Sequence, residues 1–288
     1  MGKLREKRAM QNARRAHGEA PAAKAKSAFG AFGQKLKWLD PFTYVDIYLM
    51  PKVNPGGNRE IEWVVYLASA FVFAWVFYNA IGLALGTSSP MIIVLSGSME
   101  PLYHRGDVLL LQHVSPEGII VPSAEVAGYG SLEKVGLLVY AQTFCEANAS
   151  PGLVECRQYV KAHETGEIDP RGFVVKEVLV GETKLQVTKD GPVVVYNSNT
   201  LGIPIVHRAV AKLHAPDGWY VLTKGDSLMN PVLDQEAGIS DGAIPVSELQ
   251  GKGIASIPLL GCFKLWLIDD LGSLITKGSL PPDFSGIC

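Results

Sequence analysis

Residues 61–85 read IEWVVYLASAFVFAWVFYNAIGLAL, an apolar run with one acid, Glu62, near its start. As a helix this run is long enough to cross a hydrocarbon core of about 30 Å. It stays apolar on every face, whereas a helix on the core of a soluble domain ordinarily keeps one polar side. Glu62, Trp63, Tyr66 and Tyr78 suit interfacial positions. A cleaved signal peptide fits poorly, because its apolar region spans only about 7–15 residues and residues 1–60 precede the run here. One N-terminal transmembrane helix, residues 61–85, is therefore expected to anchor the chain.

The distribution of charge orients that helix. Over all 288 residues the net charge is −2, which carries no basic signature for nucleic acid. The head is different. Lys3, Arg5, Lys7, Arg8, Arg14, Arg15, Lys24, Lys26, Lys35 and Lys37 face only Glu6 and Glu19. By the positive-inside rule residues 1–39 form a basic cytoplasmic tail at the cell membrane, and everything after Leu85 lies outside the cytoplasm. Residues 40–60 combine apolar and aromatic side chains with a Pro/Gly cluster and read as an interfacial segment turning into the helix. An outside compartment permits disulfides. Cys145 and Cys156 bracket a short loop and are suited to a bridge, while Cys262 and Cys288 are expected to be unpaired. No CxxC pair or HExxH exists to suggest a metal site.

Beyond a polar break at residues 86–90 the chain turns to short Val-, Ile-, Leu- and Tyr-rich runs separated by Gly, Pro, Asn and Asp. MIIVL, GDVLLLQ, GLLVYAQ, FVVKEVLV, KLQVT, PVVVYN, PIVHRAV and WYVLTKGD are the expected strands, so residues 86–268 should be mainly β. No fixed-period repeat points to a propeller or solenoid. A second apolar stretch over residues 254–268 is broken by Pro258 and Gly261 and reads as a surface-lying segment or a core strand. Residues 269–288 are expected to be a C-terminal tail.

Chemistry can reside in SGSMEP, which follows MIIVL directly. In an extended strand Ser96 and Ser98 would share a face, with Gly97 letting a peptide backbone approach and Pro101 ending the strand. One serine could attack while the other donates to the developing oxyanion. His207, in the strand-like run GIPIVHRAV, is the best partner, since imidazole accepts and returns a proton near neutral pH. An acid would hold the imidazole. Asp226 and Asp234, in TKGDSLMNPVLD, are both placed to supply it.

Taken together and in this order, SGSMEP with HRGDVLLL, then IPIVHR, TKGD and NPVLD resemble the successive conserved boxes of type I signal peptidases, in the archaeal and endoplasmic-reticulum form that uses a histidine. The resemblance covers roughly residues 40–267. It implies a signal-peptidase-like β catalytic domain with Ser98 as nucleophile, His207 as general base, Asp234 as triad acid and Asp226 as a supporting carboxylate. Ser96 and the Ser98 backbone N–H would form the oxyanion hole, and Gly97, Met99 and Ile205 would border an extended substrate added beside residues 91–97 and 203–207. Three features depart from that pattern. Leu102 stands where the family usually has Thr, Leu228 and Met229 lengthen the acid loop, and residues 115–189 form an enlarged insert, an extra lobe. The insert also holds Gln158-Tyr159-Val160-Lys161, which resembles the lysine box of bacterial signal peptidases and makes Lys161 the alternative base. There, however, Ala162 replaces the usual Arg and Gly166-Glu167 the usual Gly-Asp.

The implied activity is membrane-bound signal peptide removal at the outer surface, through an acyl-enzyme and with no metal or organic cofactor. The implied partners are preproteins bearing signal peptides, the lipid bilayer and the translocon. A catalytically silent, membrane-tethered β module and a self-cleaving serine-lysine peptidase are the alternatives.

Overall fold

The computed structural model of the protein describes residues 40–148 and 150–280. The basic head, the end of the C-terminal tail and Cys288 lie outside the described residues. The chain divides into two compact units between Tyr78 and Asn79. In the first, Pro41–Tyr44, Val45–Leu49 and Met50–Val53 are short helical turns, and Phe42 packs edge-on against Tyr66 and Phe73. Helix α1, Arg59–Leu85, then begins. Asn58 Oδ1 accepts from the Glu60 N–H at 2.9 Å, which satisfies one of the donors a helix start leaves open. Glu60 and Glu62 complement the positive end of the helix dipole. Among the described residues α1 is the one helix long and apolar enough to cross a membrane, and little of it is buried. Gly86 ends it in the left-handed conformation that glycine adopts without a steric penalty.

The second unit is mainly β. Its strands are β1 Met91–Ile93, β2 Val108–Gln112, β3 Ser123–Glu125, β4 Ala141–Ala147, β5 Ser150–Glu155, β6 Phe173–Val180, β7 Thr183–Gln186, β8 Val193–Asn197, β9 Pro204–Ala215, β10 Gly218–Lys224, β11 Ile244–Pro245 and β12 Gly251–Ile257. One sheet runs β1-β2-β12-β8-β9-β10-β11, with β3 alongside β9; the other runs β5-β4-β6-β7. All pairs are antiparallel except β3 with β9. The largest core cluster includes Val175, Val178 and Leu185 of the second sheet together with Leu213 and Leu222 of the first. Burying such side chains removes about 25 cal/mol per Å² of apolar surface from water, which holds the two sheets face to face.

One irregularity decides which side chains of β9 reach which face. Leu222 pairs with Ala211, but Thr223 pairs with Ala209, so Val210 is an extra residue on β9. Without this bulge, odd-numbered His207 and Leu213 would share a face. With it, Leu213 and Ala211 enter the inter-sheet core, whereas Ala209 and Ile205 pack with Val194 and Tyr196 of β8 on the opposite face. Bulges re-aim side chains in this way beside functional sites.

Two segments differ from expectation. Leu137–Tyr140, expected as strand, is a helical turn ahead of β4. Leu137 and Tyr140 are both buried, and a helical turn brings side chains three apart to one side, which a strand does not. Cys262, expected to be unpaired, is not a free thiol but is disulfide-bonded. The bridge between Cys145 and Cys156 is present and ties β4 to the start of helix α2, Cys156–Glu164. Residues 254–268 leave β12 and enter helical segments running through Leu271–Lys277. Leu265 is buried there, and Asp270 pairs with buried Arg105 at 2.9 Å.

Candidate active site

SGSMEP does not continue β1. Gly97–Met99 is a single 3-10 turn, closed by the Glu100 N–H on the Gly97 carbonyl at 3.1 Å. Ser96 and Ser98 still converge, with Ser96 Oγ donating to Ser98 Oγ at 3.3 Å, but the turn rather than a strand face brings them together. Met99 anchors the turn. It is completely buried among Val94, Leu109, Leu111 and Val195, so its side chain supports the serine from below. The turn abuts β9. Ser96, Gly97 and Ser98 are half-buried.

His207 lies on the face of β9 that the bulge turns toward β8, and it is 2% exposed. Its Nδ1 lies 2.8 Å from Oδ1 and 2.7 Å from Oδ2 of Asp234, itself 1% exposed. Asp234 Oδ2 also accepts from Tyr196 Oη at 2.8 Å and Thr223 Oγ1 at 2.6 Å. Burial works against the charged carboxylate, but the facing imidazole and these hydrogen bonds outweigh it and hold Asp234 below the ordinary carboxylate range. An ionised Asp234 can only accept, so the Nδ1 proton of His207 points at it and Nε2 is left as the acceptor. Val232 and Leu233, buried in the inter-sheet core, and the Asp234 N–H on the Thr223 carbonyl at 2.9 Å fix the loop that presents the acid. Leu228 and Met229, the extra residues of this loop, project into solvent. Among the described residues no hydrogen bond joins His207 to Ser98.

Asp226 sits elsewhere. It forms a two-pronged ion pair with Arg208, Nε to Oδ1 at 2.8 Å and Nη2 to Oδ2 at 2.5 Å. Arg208 also donates to the Gly191 carbonyl at 2.6 Å. Arg208 pairs across the sheet with Lys224, so both point away from the face that carries His207 and Thr223. Asp226 thus braces the TKGD turn, which in turn braces the serine. Ser227 N–H donates to the Ser98 carbonyl at 3.0 Å, and a Cβ on Gly225 would stand 2.7 Å from the same oxygen. That close approach is why the position takes glycine.

Ile205 is half-buried against Val194 and Tyr196. Lys161 stands exposed on α2, a helix that packs against the second sheet, and so lacks the burial that turns a lysine into a base. Two members of the constellation, Tyr196 and Thr223, were not anticipated. Thr223 adjoins the TKGD motif and Tyr196 interrupts an otherwise aliphatic strand, PVVVYN, which is where a buried hydroxyl needs a partner.

No family model matches the chain. Curated proteins do. The chain is 43% identical over 76 residues to the signal peptidase complex catalytic subunit SEC11 of Yarrowia lipolytica, covering 24% of this chain and 44% of that one. It is 22% identical over 214 residues to SEC11 of Clavispora lusitaniae and 24% identical over 214 residues to SEC11 of Scheffersomyces stipitis. Each of these longer matches covers 74% of this chain and 87% of the relative. The chain therefore spans less than half of the first relative and most of the other two.

Proposed function

We propose that this chain is a type I signal peptidase of the histidine-using form and hydrolyses the bond after the signal sequence of exported preproteins with Ser98 as nucleophile. The observation that carries the assignment is His207, held through Nδ1 by a buried, ionised Asp234 beside the turn that presents Ser98. Ser98 Oγ attacks the scissile carbonyl carbon, and its proton passes to His207 Nε2. Asp234 keeps the imidazole in the needed tautomer and stabilises its charged form. Negative charge developing on the carbonyl oxygen is met by the Ser98 backbone N–H and by Ser96 Oγ, which exchanges its bond to Ser98 for one to the oxyanion. His207 then protonates the departing amine, leaving an acyl-enzyme that water, deprotonated by the same nitrogen, clears.

Connectivity supports the substrate class. Only residues 86–90 separate α1 from β1, and His113 N–H donates to the last carbonyl of α1, Leu85, at 2.9 Å. If α1 spans the bilayer, the β domain is held at the membrane surface, where the apolar part of a signal peptide ends. The basic head supports a surface outside the cytoplasm, since cationic residues favour the cytoplasmic side of a span. Substrate would bind extended beside residues 91–97, with small side chains preferred at the first and third positions before the cut.

The test uses the full chain in detergent with a preprotein. Ser98→Ala and His207→Ala should each abolish detectable cleavage, and Lys161→Ala should leave the rate within about twofold of wild type. Cleavage persisting in Ser98→Ala would overturn the assignment. Loss in Lys161→Ala with retention in His207→Ala would move the base to the lysine.

A further inference from the structure

Behind the TKGD turn lies a cavity of about 840 Å³, walled by the ends of β9 and β10, by β6 and the link between β7 and β8, and by Pro101 and Leu102. Its cationic side chains are Arg171, Lys176, Lys189, Arg208 and Lys224. Three of them are already neutralised: Arg208 by Asp226 at 2.5 Å, Lys176 by Glu146 at 3.0 Å and Arg171 by Asp169 at 2.6 Å. Lys189 and Lys224 are not. Among the described residues neither forms an ion pair, and Lys224 Nζ donates only to the Gly225 carbonyl at 2.8 Å. Burial, with a smaller contribution from Lys189, lowers Lys224 to about 8 although Asp226 and Asp234 act the other way. Two ammonium groups outside any ion pair therefore share one half-enclosed space with Asp226 and Glu146, each already held by another cation, and with apolar walls at Val175, Val210 and Leu228. A carboxylate between them would remove that repulsion.

The cavity adjoins the backbone of the nucleophile. Leu102 follows Ser98 closely in the chain, and Ser227, on the same wall, is hydrogen-bonded to the Ser98 carbonyl. A substrate running alongside residues 91–97 in the same direction as the chain would leave Ser98 on the side of Pro101 and Leu102, which line the cavity. We propose that this cavity receives the substrate segment beyond the scissile bond and selects an acidic side chain there through Lys189 and Lys224. The proposal rests on the cleavage reaction assigned above for its substrate, while its binding part can be measured without cleavage.

Preproteins sharing one signal peptide and carrying Asp, Ala or Lys in the first few residues after the cut supply the first test. Wild type should show kcat/KM about tenfold higher for Asp than for Lys, with a smaller ratio at high salt. Lys189→Glu should reverse the order, a change that simple misfolding cannot produce. Equal cleavage of all three by wild type, or an unchanged order in Lys189→Glu, would overturn the proposal. The second test uses Ser98→Ala protein and a short acidic peptide matching the downstream segment. Binding should be at least about tenfold tighter than for its lysine-substituted counterpart, and Lys189→Glu should erase the difference. If that difference is present while wild type cuts no preprotein, the cleavage assignment fails and the site stands; if it is absent while preproteins are cut, the site fails alone. Displacement of the peptide by vesicles containing phosphatidylserine, but not by neutral vesicles, in a Lys189-dependent manner would assign the cavity to lipid headgroups instead.

Discussion

His207 and Arg208 are consecutive residues, and each holds an aspartate, yet the pairs occupy opposite faces of one strand. The His207 and Asp234 side chains are 3% and 1% exposed, and the carboxylate is ringed by hydroxyls. The Arg208 and Asp226 side chains are 13% and 19% exposed and border an open cavity. On the first face the buried, ionised Asp234 fixes the imidazole tautomer and leaves Nε2 free to accept a proton. On the second, a guanidinium cannot release its proton near neutral pH, so the pair can only brace and attract. Burial and partner chemistry, rather than the presence of an acid beside a base, separate a couple suited to proton transfer from one suited to bracing.

The sharpest way to break this contrast is amide substitution of each acid. Asp234→Asn should lower kcat on a preprotein by about 10⁴, because the imidazole would then be held in the wrong tautomer, while Asp226→Asn should cost about tenfold or less. Equal losses would erase the distinction between the faces. Stability should follow the same order. Removing Asp234 as Ala strips a buried partner and should cost about 3–5 kcal/mol, against about 1–2 kcal/mol for Asp226→Ala, read from urea midpoints.

The pH dependence has a definite sign for each face. Asp234 is held below its unfolded value, so its contribution is fully present above the ordinary carboxylate range and is lost as pH falls through the depressed value. Asp234→Asn should flatten the acid limb of the stability curve. Lys224 is lowered from 10.5 to about 8, so between those values the unfolded chain holds a proton that the folded one has released, and stability rises with pH. Lys224→Met should remove that rise and add about 1 kcal/mol at pH 7, a figure discounted for partial solvent access. The smallest effects belong to the hydroxyls around the acid. Tyr196→Phe and Thr223→Val should each cost about 1 kcal/mol and reduce kcat several-fold, whereas conservative changes of Asp226's neighbours should leave kcat in place.

Much of the site could be read in the chain because its chemistry is local. A serine flanked by glycine after an apolar strand, and a histidine inside one, are weak signals singly, and it is their order with TKGD and NPVLD that makes them candidates together. The acid was not so marked. Asp226 and Asp234 both follow β10 in a polar loop, and only the path of that loop, with Leu233 pulled into the core, puts one of them on His207. Tyr196 and Thr223 were missed because a hydroxyl in a strand gives no sign of what it will meet across the sheet. The 3-10 turn at Gly97–Met99 was missed for a related reason, since a following proline ends a strand and a turn equally well.

The sequence by itself determined the apolar helix and the β character of the chain beyond it, and it singled out Ser98, His207 and a bridge between Cys145 and Cys156 as candidates. These depend on composition, period and short spacing. Tertiary structure put Asp234, the acid the resemblance implied, on His207 and Asp226 on Arg208, and it alone decided that Lys161 stands exposed and which side of β9 carries His207. The physical reason for the last is one inserted residue, Val210: in a strand, shifting the count by one moves every later side chain to the other face, and no local pattern announces the shift.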